Sequence, residues 1–296
     1  LCATNLHATL RAGDTPADDA RARAREEVRA IWDDPTFQKR FIGAYGIDAD
    51  VEPRITPDDV KLLEKVRPLM ADDLPAARAL LVKGLKPESS ATLDYTLAGI
   101  AFQQDDLPGA LAAYERAVAK FPSFRRAWRN VGLIHARNGA FDDAIRAFTR
   151  FIELGGGDAY SYGLLGYAYA SKQDYQAAEA AYRNALLLQP DNTEWRLGLT
   201  RCVFKQEKFQ DCAALLDVLI ERYPDKAEFW LLQAQTYLGM KQPLAAAQNI
   251  EALELLGKAT ADNLHTLGEI YAGEQLMDLA QRAFVRAIHA DANQPV

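Results

Sequence analysis

The chain has 296 residues, of which 49% are hydrophobic, and it carries a formal net charge of -7 with a pI near 5.3. An acidic chain without a long basic stripe argues against a nucleic-acid-binding protein, because phosphate contacts need clustered Lys and Arg. No apolar run reaches the roughly 18 residues that a membrane-spanning helix requires. Ala dominates and β-branched residues are sparse, which favours helices over strands.

The start of the chain bears on where the protein resides. The first residue is Leu1 rather than Met, and we therefore expect the chain to be a fragment or a processed mature protein. A removed signal peptide would place the protein in the bacterial periplasm, which is the location we expect, with the cytoplasm as the alternative. The lipid-anchored Cys of a lipoprotein is the first residue of the mature chain, whereas Cys2 is the second, so lipidation is not expected.

The first 56 residues differ in composition from the rest of the chain. Residues 1–19 are polar and are predicted to be mobile, and residues 20–56 are predicted to form a helical extension. Within this extension, Asp34-Pro35 favours the start of a short helix, since Asp caps a helix and Pro suits its first position. Aromatic residues recur every four positions of this helix at Phe37, Phe41 and Tyr45. This aromatic face either packs on the first repeat or docks a partner.

The main signal is an internal repeat. From residue 91 the sequence divides without a gap into 34-residue units that begin at Ala91, Arg125, Ala159, Thr193, Ala227 and Ala261. Position 20 of each unit is small: Ala110, Ala144, Ala178, Cys212, Ala246 and Ala280. Position 8 is also small: Ala98, Gly132, Gly166, Thr200, Ala234 and Gly268. Position 24 is large and apolar: Tyr114, Phe148, Tyr182, Leu216, Ile250 and Phe284. An ordinary amphipathic helix would not place these residues in register, so each unit is predicted to be two closely packed helices, A and B.

This pattern resembles the tetratricopeptide repeat (TPR) family. The resemblance is carried by Trp128, Gly132, Ala144 and Phe148 in the second unit and by Leu165, Gly166, Ala178, Tyr182, Ala185 and Pro190 in the third. It implies an all-α, right-handed superhelical solenoid of helix-turn-helix repeats over residues 91–296. Residues 57–90 resemble a degenerate repeat that caps the array. Pro68 lies inside the first helix of this cap and is expected to kink or shorten it.

The resemblance also implies that the A helices line a concave groove, into which positions 2, 5, 9, 12 and 13 of each unit point. Partner binding is expected at Tyr95, Phe102, Arg126, Arg129, Arg137, Tyr160, Tyr167, Arg201, Phe204 and Lys205. Arginine can pair with a carboxylate through two hydrogen bonds, and aromatic rings pack against apolar side chains. The far end of the groove is acidic, with Glu228, Asp262 and Glu269. The sequence therefore predicts a partner segment that is acidic at one end and basic at the other, unless these residues form ordinary solvated helix faces.

Chemistry that would indicate an enzyme is not found in the sequence. The four histidines show no metal-ligand spacing, and the only glycine run, residues 155–157, falls where a helix must end. No Ser-His-Asp or Cys-His arrangement is present, so we expect no catalytic residues, no metal and no cofactor. Cys202 and Cys212 stand where the repeat usually has Ala, and a packing role is expected for both.

Several stretches show a narrower similarity. These are residues 32–35, 41–46, 124–132, 162–167 and 229–234. They resemble envelope TPR proteins that are encoded beside TonB, ExbB and ExbD components in Gram-negative bacteria. This resemblance implies a periplasmic adaptor whose partners are TonB-, ExbB- or ExbD-like proteins. The alternatives are a structural protein that self-assembles into homo-oligomers through its last helix, and the regulatory arm of a separate enzyme.

Overall fold

The computed structural model describes residues 51–292, in which every regular element is an α-helix. The fourteen helices of this range are α1 (Pro57–Asp72), α2 (Leu74–Gly84), α3 (Ala91–Gln103), α4 (Leu107–Lys120), α5 (Arg125–Arg137), α6 (Phe141–Glu153), α7 (Ala159–Ser171), α8 (Tyr175–Leu188), α9 (Thr193–Lys205), α10 (Phe209–Arg222), α11 (Ala227–Gly239), α12 (Pro243–Leu255), α13 (Ala261–Gly273) and α14 (Met277–Ala292). The predicted all-α fold is confirmed. The predicted mobile segment and most of the helical extension, with its aromatic face, lie outside the described residues.

Consecutive helices pair into hairpins, and the hairpins stack in chain order. From α3 onward, the first helix of each hairpin begins 34 residues after the previous one. The second helix of each hairpin also packs on the first helix of the next, as α4 does on α5 and α10 on α11. Because each hairpin contacts mainly its neighbours in sequence, the array is built by local packing, as expected for a solenoid.

The interior of each hairpin follows the small and large positions of the repeat. The position-20 residues are almost completely buried, and in the fourth unit the Sγ of Cys212 lies 3.7 Å from the carbonyl oxygen of Thr200, at position 8. The position-8 glycines lie beneath the aromatic rings of position 24. A Cβ atom added to Gly132 would come within 2.8 Å of the Phe148 ring, which is fully buried. Small residues at position 8 therefore make room for a ring as well as for the facing helix.

Every A helix from α3 onward ends in the same turn. Position 15 has a positive φ in all six units, at Asp105, Gly139, Gln173, Glu207, Lys241 and Gln275. The next N–H reaches back to a carbonyl five residues earlier, as from Asp174 to Tyr169 at 3.0 Å. This bond is typical of the Schellman motif, whose left-handed residue is most often Gly. Only the second unit, with Gly139, has that residue, so the other five turns hold a side chain in an unfavourable backbone conformation.

Replacing Gln173 with Gly is expected to stabilise the protein by about 0.5–1 kcal/mol, because Gly adopts positive φ without a steric cost. Gln173 is exposed, so little packing is lost. Gly139→Ala is the matched opposite change and is expected to destabilise by about 1 kcal/mol. Urea unfolding followed by circular dichroism measures both, and a loss of stability in Gln173→Gly would contradict the backbone argument.

The first hairpin, α1 and α2, corresponds to the predicted degenerate cap. Helix α1 begins with a capping box between Thr56 and Asp59, and Asp59 Oδ2 also accepts a bond of 3.3 Å from the N–H of Ser90, at the start of α3. Pro68 does not shorten α1, which continues to Asp72. Pro68 is exposed, so the carbonyl that loses its N–H partner is on the solvent side, where water can bind it.

A half-buried carboxylate on α8, that of Glu179, joins the third and fourth units. Glu179 Oε1 accepts bonds from Arg183, and Glu179 Oε2 accepts 2.8 Å bonds from Gln206 Nε2 and Lys208 Nζ. Burial by itself raises the pKa of Glu179, but the bonds from Lys208, Arg183 and Gln206 outweigh it, and the pKa lies below its usual value of 4.5. The ionised form is therefore favoured by folding.

This lowered pKa predicts how stability depends on pH. A carboxylate whose pKa is lower in the folded state contributes stability that is fully present above its unfolded pKa and is lost as pH falls through the folded pKa. We expect wild type to be more stable than Glu179→Gln at pH 7, and this difference to shrink below about pH 4.5. Chemical unfolding of both proteins between pH 7 and pH 3 measures it. A difference that does not change with pH would show that ionised Glu179 has no such role.

Candidate functional site

We call positions 2, 5, 9, 12 and 13 of α3, α5, α7, α9, α11 and α13 the A-helix face. Large hydrophobic side chains are exposed at four places on it: Phe102, Tyr160, Tyr167 and Leu238. Tyr160 and Tyr167 lie seven residues apart on α7 and therefore on the same side of that helix. About half of each ring is open to solvent, 54% and 51% respectively. The Tyr167 ring rests edge-on against Phe141 at 5.6 Å between centroids, which holds it in place.

Two predicted groove positions on this face are covered instead of exposed. Gly163, between the two tyrosines, is buried because Trp195 of the next A helix lies on it: an added Cβ would be 2.3 Å from Trp195 Nε1. Ala136 is also buried. The expectation that positions 5 and 12 point into an open groove is therefore wrong at these two residues, since the adjoining helices already cover them.

The remaining predicted aromatics take part in packing within the array. Tyr95 contacts the rings of Tyr114 and Phe124 at 5.3 and 4.9 Å, and its hydroxyl accepts a 3.3 Å bond from Asn130 Nδ2. Phe204 contacts Phe209 at 5.7 Å. Both Tyr95 and Phe204 are half-buried. The predicted aromatic residues thus divide into an exposed set, Phe102, Tyr160 and Tyr167, and a half-buried set, Tyr95 and Phe204.

Each of the four predicted arginines forms an ion pair with an acidic residue of the chain itself. The pairs are Arg126–Glu52 at 2.6 Å, Arg129–Asp158 at 2.6 Å, Arg137–Asp105 at 3.5 Å and Arg201–Glu228 at 3.4 Å. Sequence reasoning missed all four acidic partners. A partner's carboxylate would therefore have to compete with an internal one at each arginine. Lys205 is exposed.

One of these pairs also has a structural role. Asp158 precedes α7, and its Oδ1 accepts a 2.8 Å bond from the N–H of Ser161, which caps the helix. Its Oδ2 accepts a 2.6 Å bond from Arg129 Nε. Arg129 therefore connects α5 to the start of the next A helix, so a substitution there would change packing between units as well as the charge of the face.

The described residues offer no group of three or more His, Cys, Asp or Glu side chains placed to hold a metal ion. Cys202 and Cys212 are buried free thiols. Burial, and to a smaller extent the negative charge of the nearby Glu179, raises the pKa of Cys202 to about 11. Burial also raises the pKa of Cys212. Neither thiol is an activated nucleophile at neutral pH, since reactivity belongs to the thiolate. Within residues 51–292, no helix is both long and apolar enough to cross a membrane.

Comparison with curated proteins finds two partial relatives. Cellulose synthase operon protein C of Pseudomonas fluorescens is 24% identical over 204 residues, which cover 65% of this chain and 14% of that protein. Protein SULFUR DEFICIENCY-INDUCED 2 of Arabidopsis thaliana is 44% identical over 61 residues, 20% of each chain. The similarity thus spans only 14% and 20% of the length of these relatives.

Solved structures and family models agree on the repeat. YrrB, described as a TPR protein with an unusual peptide-binding site, aligns with a TM-score of 0.54 at 18% identity, over 62% of this chain and 92% of YrrB. MamA 41-end from Desulfovibrio magneticus RS-1 aligns with a TM-score of 0.50 at 18% identity, over 58% of this chain and 97% of MamA. At such identities the likeness shows the fold alone. Residues 95–159 and 169–236 match family models described as tetratricopeptide repeat. Together with the helical hairpins that recur every 34 residues, these matches show that the chain contains tetratricopeptide repeats.

Proposed function

We propose that the chain is a non-catalytic scaffold that binds a segment of a partner protein along the A-helix face. TPR proteins generally mediate protein–protein interactions, and the observation that carries the proposal is the exposure of Tyr160 and Tyr167 on one side of α7. Half-exposed tyrosines are typical of binding surfaces, because they present a large apolar area with a polar end at little entropic cost. The peptide-binding site described for YrrB supports the same use of this fold.

The contacts on the face also favour a particular kind of partner segment. The arginines are already paired with internal acids, whereas the rings of Phe102, Tyr160 and Tyr167 are open. Apolar side chains of a partner segment would bury these rings, and this contact does not itself displace an ion pair. Because the helices that carry them are already packed, binding requires little ordering of the scaffold itself.

The test is a double substitution with a matched control. Tyr160→Ser with Tyr167→Ser removes both exposed rings of α7. Leu187→Ser with Leu188→Ser removes two exposed large side chains from the B helix α8. After capture of the partner from a cell extract, calorimetry is expected to show a loss of affinity of at least about 30-fold for the tyrosine variant, as for loss of a binding hot spot. The leucine variant is expected to stay within about threefold. A larger loss in the leucine variant would place the binding surface on the B helices.

The sequence resemblance supports a specific partner and place: a TonB-, ExbB- or ExbD-like protein in the periplasm. Support comes from the stretches around Trp128, Tyr162 and Trp230 that resemble envelope TPR proteins. Affinity capture from solubilised envelopes tests this identity. Recovery of such proteins by wild type, and not by the double tyrosine variant, is the expected result. Recovery of an enzyme instead would favour the regulatory-arm alternative, and recovery of neither would end the envelope proposal.

Self-association is a second candidate function, favoured by the exposure of α14. Ile288, at position 28, is 69% exposed, and Val285 is exposed beside it. The equivalent Val118 is buried in a cluster that includes Ala127 of the next unit. A second copy of the chain would cover the same surface in the sixth unit. Light scattering at rising concentration tests this: oligomers that disappear in Ile288→Lys support it, and a monomer throughout opposes it.

A further inference from the structure

The segment before α1 reaches the A-helix face two units away. Glu52 lies five residues before the start of α1 and contacts Arg126, at position 2 of the second unit. Arg126 donates from Nε to Glu52 Oε1 at 2.8 Å and from Nη2 to Glu52 Oε2 at 2.6 Å. This is a bidentate arginine–carboxylate pair, the geometry in which such pairs are strongest and most specific.

Aromatic rings hold the arginine of this pair in position. The guanidinium carbon of Arg126 lies 5.4 Å from the centroid of the Tyr95 ring and 5.9 Å from that of Phe124. Phe124 is fully buried, and Tyr95 is fixed by its ring contacts and by the bond from Asn130. The cation–π and packing contacts therefore orient the guanidinium group of Arg126 so that its donating nitrogens point at a carboxylate.

Glu52 differs from the other acids paired on this face in where it is attached. Asp158 caps α7, Asp105 lies in the turn after α3, and Glu228 is in the first turn of α11. The backbone of each of these three residues belongs to a repeat, so it cannot move away without disturbing that repeat. Glu52 is in a non-helical segment ahead of α1, and Pro53 after it disfavours helical backbone at Glu52. Glu52 can therefore leave Arg126 without unfolding a hairpin.

We infer that Arg126, Tyr95 and Phe124 form a carboxylate-binding subsite that Glu52 occupies from within the same chain, and that a partner bound to the A-helix face displaces Glu52 with an acidic side chain of its own. The inference rests on the proposed function and adds one feature of the partner: an Asp or Glu side chain in an extended segment, beside the apolar side chains that contact the tyrosines. Segment 51–56 then acts as an internal competitor, whose attachment to the chain gives it a high effective concentration.

Removing the competitor tests the subsite directly. The probe is a fluorescein-labelled, C-terminally amidated peptide of residues 51–56, with a second peptide in which Gln replaces its Glu. Fluorescence anisotropy measures the binding of each to wild type, to Glu52→Gln and to Arg126→Gln. We expect the Glu peptide to bind the Glu52→Gln protein about tenfold more tightly than it binds the wild-type protein. An internal competitor lowers the apparent affinity in proportion to the fraction of sites that it leaves free. We expect the Gln peptide and the Arg126→Gln protein to lose this binding.

The outcomes separate this inference from the proposed function. Equal binding of the Glu and Gln peptides to Glu52→Gln would overturn the subsite, as would binding that survives in Arg126→Gln. For the captured partner, Glu52→Gln should raise the affinity about tenfold, whereas Tyr160→Ser with Tyr167→Ser should lower it. If the tyrosine variant loses the partner and Glu52→Gln binds it as wild type does, the inference alone is wrong. If the tyrosine variant binds normally, the proposed function is wrong.

Discussion

Replacing Lys120 with Met is expected to lower the free energy of unfolding by about 3 kcal/mol, because it removes one of the two cations that neutralise a buried carboxylate. The carboxylate belongs to Asp94 of α3, which is fully buried. Its Oδ1 is 3.0 Å from Arg116 Nε, and its Oδ2 is 2.7 Å from Lys120 Nζ. Lys120 Nζ also donates to the carbonyl oxygens of Lys86 and Ser89, in the loop between α2 and α3. The substitution therefore removes contacts between the first two hairpins and also leaves the buried carboxylate with only one cation.

Two further variants separate charge from packing. Adding Asp94→Asn to Lys120→Met removes the uncompensated charge and should recover part of the lost stability, because the cost of breaking such a pair comes mainly from the charge left behind. Arg150→Met breaks the exposed pair with Glu153 and is expected to change stability by less than about 0.5 kcal/mol. Urea unfolding measures all three. A Lys120→Met protein as stable as wild type would mean that Arg116 alone satisfies Asp94.

Gly132→Ala and Gly99→Ala are expected to shift stability in opposite directions, although both place a methyl group inside an A helix. At Gly132 the added Cβ would meet the ring of Phe148 at 2.8 Å, and that ring is fully buried and cannot move aside. Overpacking of this kind typically costs about 1–3 kcal/mol. At Gly99 the nearest atom is the hydroxyl oxygen of Tyr114 at 4.0 Å, so the higher helix propensity of Ala, worth about 1 kcal/mol, should dominate. Thermal unfolding distinguishes the two signs, and destabilisation by both substitutions would refute the steric account.

The sequence predicts the helices well because their determinants are local and repeated. Small residues such as Gly132 and Ala144 and rings such as Phe148 recur at fixed positions, and each hairpin packs mainly against its neighbours. The turn geometry is less visible, because position 15 has a positive φ in every unit but is Gly only at Gly139. In the other five units the turn is enforced by the backbone bond from the next N–H to the carbonyl five residues earlier and by packing on both sides. Neither of these leaves a signal in residue identity.

The candidate site is less predictable because it depends on contacts between units. The sequence places Arg126 on the A-helix face, but its partner Glu52 is 74 residues away in a segment without a repeat. Arg129 has a weak signal in Asp158, since an Asp just before an A helix is both a cap and a neighbour of the previous helix. Helical periodicity gives the direction in which each position of a helix points, and it places Gly163 on the side of the predicted groove. Periodicity does not show that Trp195 of the next helix covers this residue.

Binding of a partner protein to the A-helix face is tested most directly by site-specific photocrosslinking. The photoreactive residue p-benzoylphenylalanine is placed at Tyr167 of α7 and, as the matched exposed position on a B helix, at Leu188 of α8. Each protein is irradiated in the extract from which the partner is captured, and adducts are identified by mass spectrometry. We expect a partner adduct from position 167 and none from position 188. An adduct formed from position 188 and not from position 167 would contradict binding at the A-helix face.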